Sequence, residues 1–270
     1  MKPFRVLDPN LLDRAARGAR GVCALAVMTK APQAGRVKTR LVPPLTPEEA
    51  AELNKCFLRD TAAAISRACS RRFASHPPSR SFGATGSEAA TAARGIAVYT
   101  PVGAESAYTE ILPAGFSLLP QRGDKFGERL YFAVEDLFRC GFETVCLIDS
   151  DSPTVPAENL AEAVELLSTH EDRVVLGPSD DGGYYLIGVE KPHRRLFEQI
   201  DWSTERVLNQ TIQRAMELEL EVKLLPSGYD VDDGASLRRL CNELLADTTS
   251  ADIAPYTREL LAKLTPQKKL

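Results

Sequence analysis

The chain reads as an α/β protein with a mostly parallel central sheet and helices on both faces. Short apolar runs alternate with segments of helical period along nearly its whole length, the pattern of strands joined by helical crossovers. One such run, Val145–Ile148, stops at a pair of aspartates followed by a proline, as a strand does where it hands over to a loop at a sheet edge. With 270 residues, 44% of them hydrophobic, the core is ample for one large domain or two small ones.

The first strand is VCALAVMT at 22–29. After the loop KAPQAGRVKTRLVPPL a helix begins. Thr46 caps it, Pro47 suits the first helical position and Glu49 completes a capping box. Leu53, Phe57, Ala64, Ile65 and Ala68 recur at helical spacing and form its apolar face. Residues 74–95, rich in Ala, Ser, Gly and Pro, read as a mobile loop. GIAVYTPV is the next strand and FSLLP a short one. Phe126 to Cys140 is a helix with Leu130, Val134, Leu137 and Phe138 inward and Gly141 as its stop. The strand at 145–148 follows, then a helix through Leu160, Val164 and Leu167, then the strand RVVLG at 173–177. The turn PSDDGG leads into the strand YYLIGV. A helix from about Ser203 to Leu218, a strand EVKLL, an Asp-rich loop and a helix from Ala235 to Leu245 complete the series. The last twenty residues read as a helix with a basic tail.

Composition excludes several classes. A net charge of −4 provides no basic field for nucleic acid. No apolar run approaches membrane-spanning length. The N-terminus lacks the apolar centre of an export signal, so a cytoplasmic location is expected. The six cysteines form no CxxC pair and fall mostly in strands and helices, which suits small buried hydrophobes in a reducing compartment. His76, His170 and His193 are scattered, so a histidine metal site or triad has little support.

Four loops concentrate the residues that carry chemistry. In VCLIDSDSP, Asp149 and Asp151 follow a buried strand, at the edge where open α/β sheets bind ligands. Two hard oxygen donors there suit Mg²⁺ or Mn²⁺ with substrate phosphates completing the shell. A helix cap and a solvated turn would explain the same pair. The loop after the first strand holds Lys30, Gly35, Arg36, Lys38 and Arg40. Such cations around a flexible glycine suit a diphosphate, although neither a Walker loop nor a GxGxxG fingerprint is present. PSDDGGYY offers Asp180 or Asp181 to bind or deprotonate an acceptor hydroxyl, beyond what the Asp-Gly turn itself requires. SGYDVDDGAS brings Asp230, Asp232 and Asp233, as a helix cap or as further metal ligands. Trp202, the only tryptophan, reads as a packing anchor.

Taken together, VMTKAPQAGRVKTRL, PQRGDKFGERL, LIDSDSP, VVLGPSDDGGYYLIG, IDWSTERVLNQT and YDVDD resemble the bacterial DUF2064 group of GT-A-like transferases, in that family's order and over roughly residues 22–240. The resemblance implies a single nucleotide-diphospho-sugar transferase domain at 21–247, with 1–20 as an N-terminal extension, 74–95 as an added loop and 248–270 as a C-terminal helix and tail. The family usually has Gly where this chain has Asp149, and its Asp falls on Asp151, which the resemblance therefore favours as the metal ligand. Ser236 stands where the family often has a later acid. KTRL is also similar to a segment of small guanylyltransferases that share the fold.

The expected function is therefore a metal-dependent glycosyltransferase, using a nucleotide sugar and a small acceptor. Lys30, Gly35, Arg36, Lys38 and Arg40 would face the diphosphate. Asp151, with Asp149 and Asp232, would hold Mg²⁺ or Mn²⁺. Asp180 or Asp181 would serve the acceptor. The alternatives are a guanylyltransferase-like nucleotidyltransferase, in which the basic loop clamps a triphosphate, and a non-catalytic nucleotide-binding module.

Overall fold

The computed structural model describes residues 4–11, 22–70, 92–169, 171–246 and 248–268. The elements are β1 (Arg5–Val6), β2 (Val22–Lys30), α1 (Pro47–Cys69), β3 (Ala92–Thr100), β4 (Ser117–Pro120), α2 (Phe126–Arg139) and β5 (Thr144–Ile148). They continue with α3 (Ala157–Leu166), β6 (Arg173–Pro178), β7 (Tyr184–Val189), α4 (Val207–Glu217), β8 (Glu221–Leu224), α5 (Gly234–Leu244) and α6 (Pro255–Lys268). These strands form one sheet in the order β1-β4-β3-β2-β5-β7-β6-β8. β2 runs parallel to β3 and β5, whereas β7 is antiparallel to both β5 and β6. The reversal has a local cause. Only the short turn Ser179–Gly183 joins β6 to β7, and a parallel pair needs a much longer crossover.

The period of two along the central strands explains why both faces carry helices. On β2, Cys23, Leu25 and Val27 enter one core, while Val22, Ala24 and Ala26 enter the other. β5 divides in the same way, Cys146 and Ile148 against Val145 and Leu147. α1 and α3 cover the first face through Leu58, Ile65, Leu160 and Val164. α2 covers the second through Leu130, Val134 and Leu137, with Ala215 of α4 beside it. The capping box of α1 is present: Glu49 N–H donates to Thr46 Oγ1 at 3.2 Å, and Thr46 N–H to Glu49 Oε2 at 2.7 Å.

A third core positions the functional edge. Leu41 and Leu45 from the loop after β2 pack with Tyr229 and Val231 from the loop after β8, over Leu53, Phe57, Leu237 and Leu261. Two loops far apart in sequence are thereby held side by side. α6 is fastened to the same region by Asp60. This buried acid of α1 accepts the backbone N–H groups of Tyr256 and Thr257 at 3.1 and 2.9 Å, where the helix dipole favours a negative charge.

Several expected boundaries move. β3 begins at Ala92, in register with Val22, so residues 92–95 of the expected loop are strand; residues 74–91 lie outside the described residues. Arg5–Val6 of the N-terminal extension adds a parallel edge strand to β4. α4 starts at Val207 rather than Ser203, because Ser203 has a φ of 64°, incompatible with a right-handed helix. The six cysteines are free, and all but Cys69 are buried. Among the described residues no helix is long and apolar enough to cross a membrane.

Candidate active site

β2, β5 and β6 end at one edge of the sheet, where the antiparallel β7 begins. Backbone hydrogen bonds stitch their loops together. Asp149 N–H donates to Tyr185 O at 2.9 Å and Val231 N–H to Asp151 O at 3.0 Å. Asp180 N–H donates to Gly228 O at 3.0 Å and Gly228 N–H to Pro178 O at 2.8 Å. The acids of three separate loops are thus gathered beside the basic loop after β2. Within the β6–β7 turn, Gly182 has a φ of 87°, and a Cβ there would lie 2.3 Å from Glu205 O. Only glycine permits this close approach, which lets Leu208 N–H reach Gly182 O at 2.9 Å and seats α4.

Lys38 lies at the centre. Its backbone is left-handed, with a φ of 49°, an uncommon conformation for a residue with a side chain. The side chain is only 4% exposed, and its ammonium meets Asp151 Oδ1 at 2.9 Å, Asp232 Oδ1 at 2.8 Å and Val231 O at 2.8 Å. Burial alone would lower the pKa of this amine, but the two carboxylates outweigh it and hold the pKa above its usual value. Asp232 shows the converse. Burial opposes its charge, yet Lys38 keeps its carboxyl below the ordinary range. Three acceptors use the three N–H bonds of the ammonium. Lys38 therefore joins the acidic loops to the basic loop, and it does so in the wall of the cavity that Lys30, Arg36 and Arg40 also line.

Three cavities surround this cluster; one of about 430 Å³ lies on the α5 side, lined by Arg40, Asp180, Asp181, Asp230, Asp232 and Arg239 among others, and the other two flank Asp151. The first of these two, about 240 Å³, is lined by Lys30, Arg36, Lys38, Arg40, Asn54 and Asp151, with Asp232 at its side. Lys30, Arg36 and Arg40 are exposed. The basic loop turns at Gly35, whose φ is 70° with open space around it. The second cavity, about 220 Å³, has Met28, Phe126, Tyr184 and Trp202 in its wall, together with Asp149, Asp151, Asp181 and Asp230. Asp151 belongs to both.

The paired acids of the β6–β7 turn separate by role. Asp180 is bound by Arg239 at 2.7 Å and stays out of the apolar cavity. Asp181 lines that cavity while its Oδ1 accepts Gly183 N–H at 2.9 Å. Asp149 accepts a hydrogen bond from Ser152 Oγ at 2.7 Å; burial, then the neighbouring Asp151, raises its pKa well above the carboxylate range. Asp230 is pushed up to about 6 by burial and by the charges of Asp181 and Asp232. Asp233 caps α5, accepting the N–H groups of Ala235 and Ser236 at 2.9 and 2.8 Å.

Of the acids expected to hold Mg²⁺ or Mn²⁺, Asp151 and Asp232 share Lys38 as their counter-ion, and Asp149 lies close enough to Asp151 to feel its charge. The cation between Asp151 and Asp232 is Lys38, and among the described residues no group of three or more His, Cys, Asp or Glu is placed to hold a metal ion. In this arrangement the residues do not fit the expected metal.

Two features had no signal in the sequence. Phe126 and Trp202 meet edge to face with centroids 5.1 Å apart, forming a corner of the apolar cavity from the start of α2 and the loop before α4. A lone tryptophan before a helix reads as packing until these two segments meet. Asn54, in the middle of α1, is 6% exposed, lines the cationic cavity and has no hydrogen-bond partner for its Oδ1. A mid-helix Asn belongs to no motif.

This sheet, with ligand-suited loops at its edge, has the fold of the nucleotide-diphospho-sugar transferases. Residues 86–204 match the family model described as "Uncharacterized protein conserved in bacteria (DUF2064)", so the family resemblance stands over that segment. A provisionally named nucleotide-diphospho-sugar transferase from Desulfovibrio desulfuricans is 26% identical with a TM-score of 0.74, covering 92% of this chain and 97% of that one. More distant is 4-diphosphocytidyl-2C-methyl-D-erythritol synthase of Anaerococcus prevotii, 11% identical with a TM-score of 0.48, over 84% of this chain and 97% of that one. Glucosyl-3-phosphoglycerate synthase of Mycobacterium tuberculosis, solved with Mn²⁺, uridine diphosphate and glucosyl-3-phosphoglycerate, is 11% identical with a TM-score of 0.46, over 99% of this chain and 88% of that one. Among curated proteins none matches the chain.

Proposed function

We propose that the chain is a glycosyltransferase that moves a sugar from a nucleotide-diphosphate donor to a small acceptor. The observation that carries this reading is the place of Asp151. It lines both the cationic and the apolar cavity, so a group passed from an occupant of one to an occupant of the other crosses beside it. Lys30, Arg36 and Arg40 form no ion pair among the described residues and are free to hold a diphosphate, whose oxygens match guanidinium forks. The same charges stabilise the nucleoside diphosphate as it departs. Asp181 faces the acceptor. As the sugar's bond to the diphosphate oxygen breaks and its bond to the acceptor oxygen forms, the acceptor's proton passes to the Asp181 carboxylate. Lys38 is a positioning residue, holding Asp151 and Asp232 in place. The likeness to the Desulfovibrio protein, at 26% identity across 92% of this chain, supports the donor class.

Product analysis tests this reading. The full chain is incubated with a panel of nucleotide sugars or nucleoside triphosphates and a mixed pool of small acceptors. Release of nucleoside diphosphate together with a glycosylated product is the expected outcome. Pyrophosphate release would replace the reading with nucleotidyl transfer. Saturable nucleotide binding without turnover of any donor would leave only a binding module.

A further inference from the structure

The two cavities differ in what their walls accept. Phe126 and Trp202 give the second one an aromatic corner, and Asp149, Asp151, Asp181 and Asp230 give it four carboxyl groups. No lysine, arginine or histidine lines it. The cations around it are committed elsewhere or lie outside the wall. Lys38 is spent on Asp151, Asp232 and Val231 O, and Arg206 pairs with Asp201 at 3.1 Å. Arg129 lies 6.0 Å from the Phe126 ring centroid and is not part of the lining.

We propose that this cavity selects an acceptor with an apolar, ring-sized body that carries a hydroxyl or a protonated amine and no phosphate or carboxylate. The inference rests on the reading of this cavity as the acceptor side. A ring packs against the Phe126–Trp202 corner with the offset or edge-on geometry aromatic groups favour. An ammonium on that ring is drawn by the carboxylates and by the aromatic faces. A phosphate or carboxylate would be desolvated opposite Asp181 and Asp230, with no cation in the lining to balance it, an arrangement that costs affinity and excludes wrong partners. The division of charge also sets direction. Phosphates are drawn to Lys30, Arg36 and Arg40 and repelled from the apolar cavity, so the donor binds one way round and a phosphorylated acceptor is disfavoured.

Trp202 is the only tryptophan in the chain, so its emission, excited selectively, reports occupancy of this cavity directly. The full chain is titrated with benzylamine, benzyl alcohol and phenyl phosphate at constant ionic strength, and separately with uridine diphosphate by calorimetry. Saturable changes with the amine and the alcohol are expected, with phenyl phosphate weaker than the alcohol by about tenfold or more. Asp181→Asn and Asp230→Asn should each shrink the advantage of the amine over the phosphate. Phenyl phosphate binding as tightly as the alcohol, or Trp202 emission unmoved by any of the three, would overturn the proposal. Selective amine binding in a chain that ignores uridine diphosphate and every other nucleoside diphosphate would uphold the cavity's selectivity and overturn the donor reading beneath it.

Discussion

The cationic and apolar cavities share Asp151 as a wall, yet they are assembled in opposite ways. The cations come from one contiguous loop, Lys30 to Arg40, placed by a single strand end. The apolar cavity takes Met28 from β2, Phe126 from α2, Tyr184 from β7 and Trp202 from the loop before α4. A charge cluster needs only proximity in sequence and an edge to sit on. An apolar pocket needs several elements packed correctly before any of its walls exists. Lys38 connects the two, since from the wall of the cationic cavity it neutralises Asp151, which also lines the apolar one.

The largest expected effect separates the cavities by chemistry. Asp181→Asn should lower single-turnover transfer by about 10²–10⁴-fold, the usual contribution of a general base, with donor affinity unchanged. Asp180→Asn, which loses only an exposed pair with Arg239, should be mild by comparison. Equal losses in both variants would erase the distinction drawn between the two acids.

The connection between the cavities is tested at Lys38. Lys38→Met removes the buried ammonium and leaves Asp151 and Asp232 facing each other, so urea denaturation should show a loss of about 3 kcal/mol. That is the low end for breaking a buried pair, because both acids are partly exposed. A loss near zero would mean that the third core alone holds the loops together.

Next come the free cations. Arg36→Ala and Arg40→Ala should each weaken nucleoside diphosphate binding by about 1.5–3 kcal/mol if they make charge-assisted hydrogen bonds. Binding of benzyl alcohol, read by Trp202, should not change. Calorimetry that finds full diphosphate affinity in both variants would reduce the loop to a solvated surface.

The smallest effect concerns stability and pH. The pKa of Asp230 is about 6 in the folded chain against an ordinary 3.8, so the folded state binds its proton more tightly than the unfolded state does. The stability this provides is present below about pH 4 and lost as pH rises through about 6. Asp230→Asn keeps the uncharged form at every pH. Above about pH 6 it should raise the melting midpoint by about 2–4 °C, the response of a domain near this size to roughly 1 kcal/mol, a figure already reduced for solvent screening. Below about pH 4 the gain should vanish. A gain that instead grew toward acid pH would contradict the assignment.

Much of this molecule is determined within short stretches of sequence. The Thr46–Glu49 capping box, the apolar face of α1 and the strand ending at Ile148 depend on neighbours a few residues apart, and the structure holds them as the residue pattern requires. The gathering of acids and cations at one edge follows from the strand–helix alternation the pattern shows, because parallel strands deliver their following loops to the same side. Three things needed the tertiary structure. That Asp181 lines the apolar cavity while Asp180 is held outside it depends on Arg239, carried in by α5. The aromatic corner depends on α2 meeting the loop at Trp202. The pairing of Lys38 with Asp151 and Asp232 depends on Leu41, Leu45, Tyr229 and Val231 packing into one core. That packing brings Asp232, 194 positions along the chain, to within 2.8 Å of its ammonium. Sequence reading sees charge and spacing. A buried ion pair forms only where long-range packing removes water and leaves the two charges no other partner, and that condition is not written in either loop.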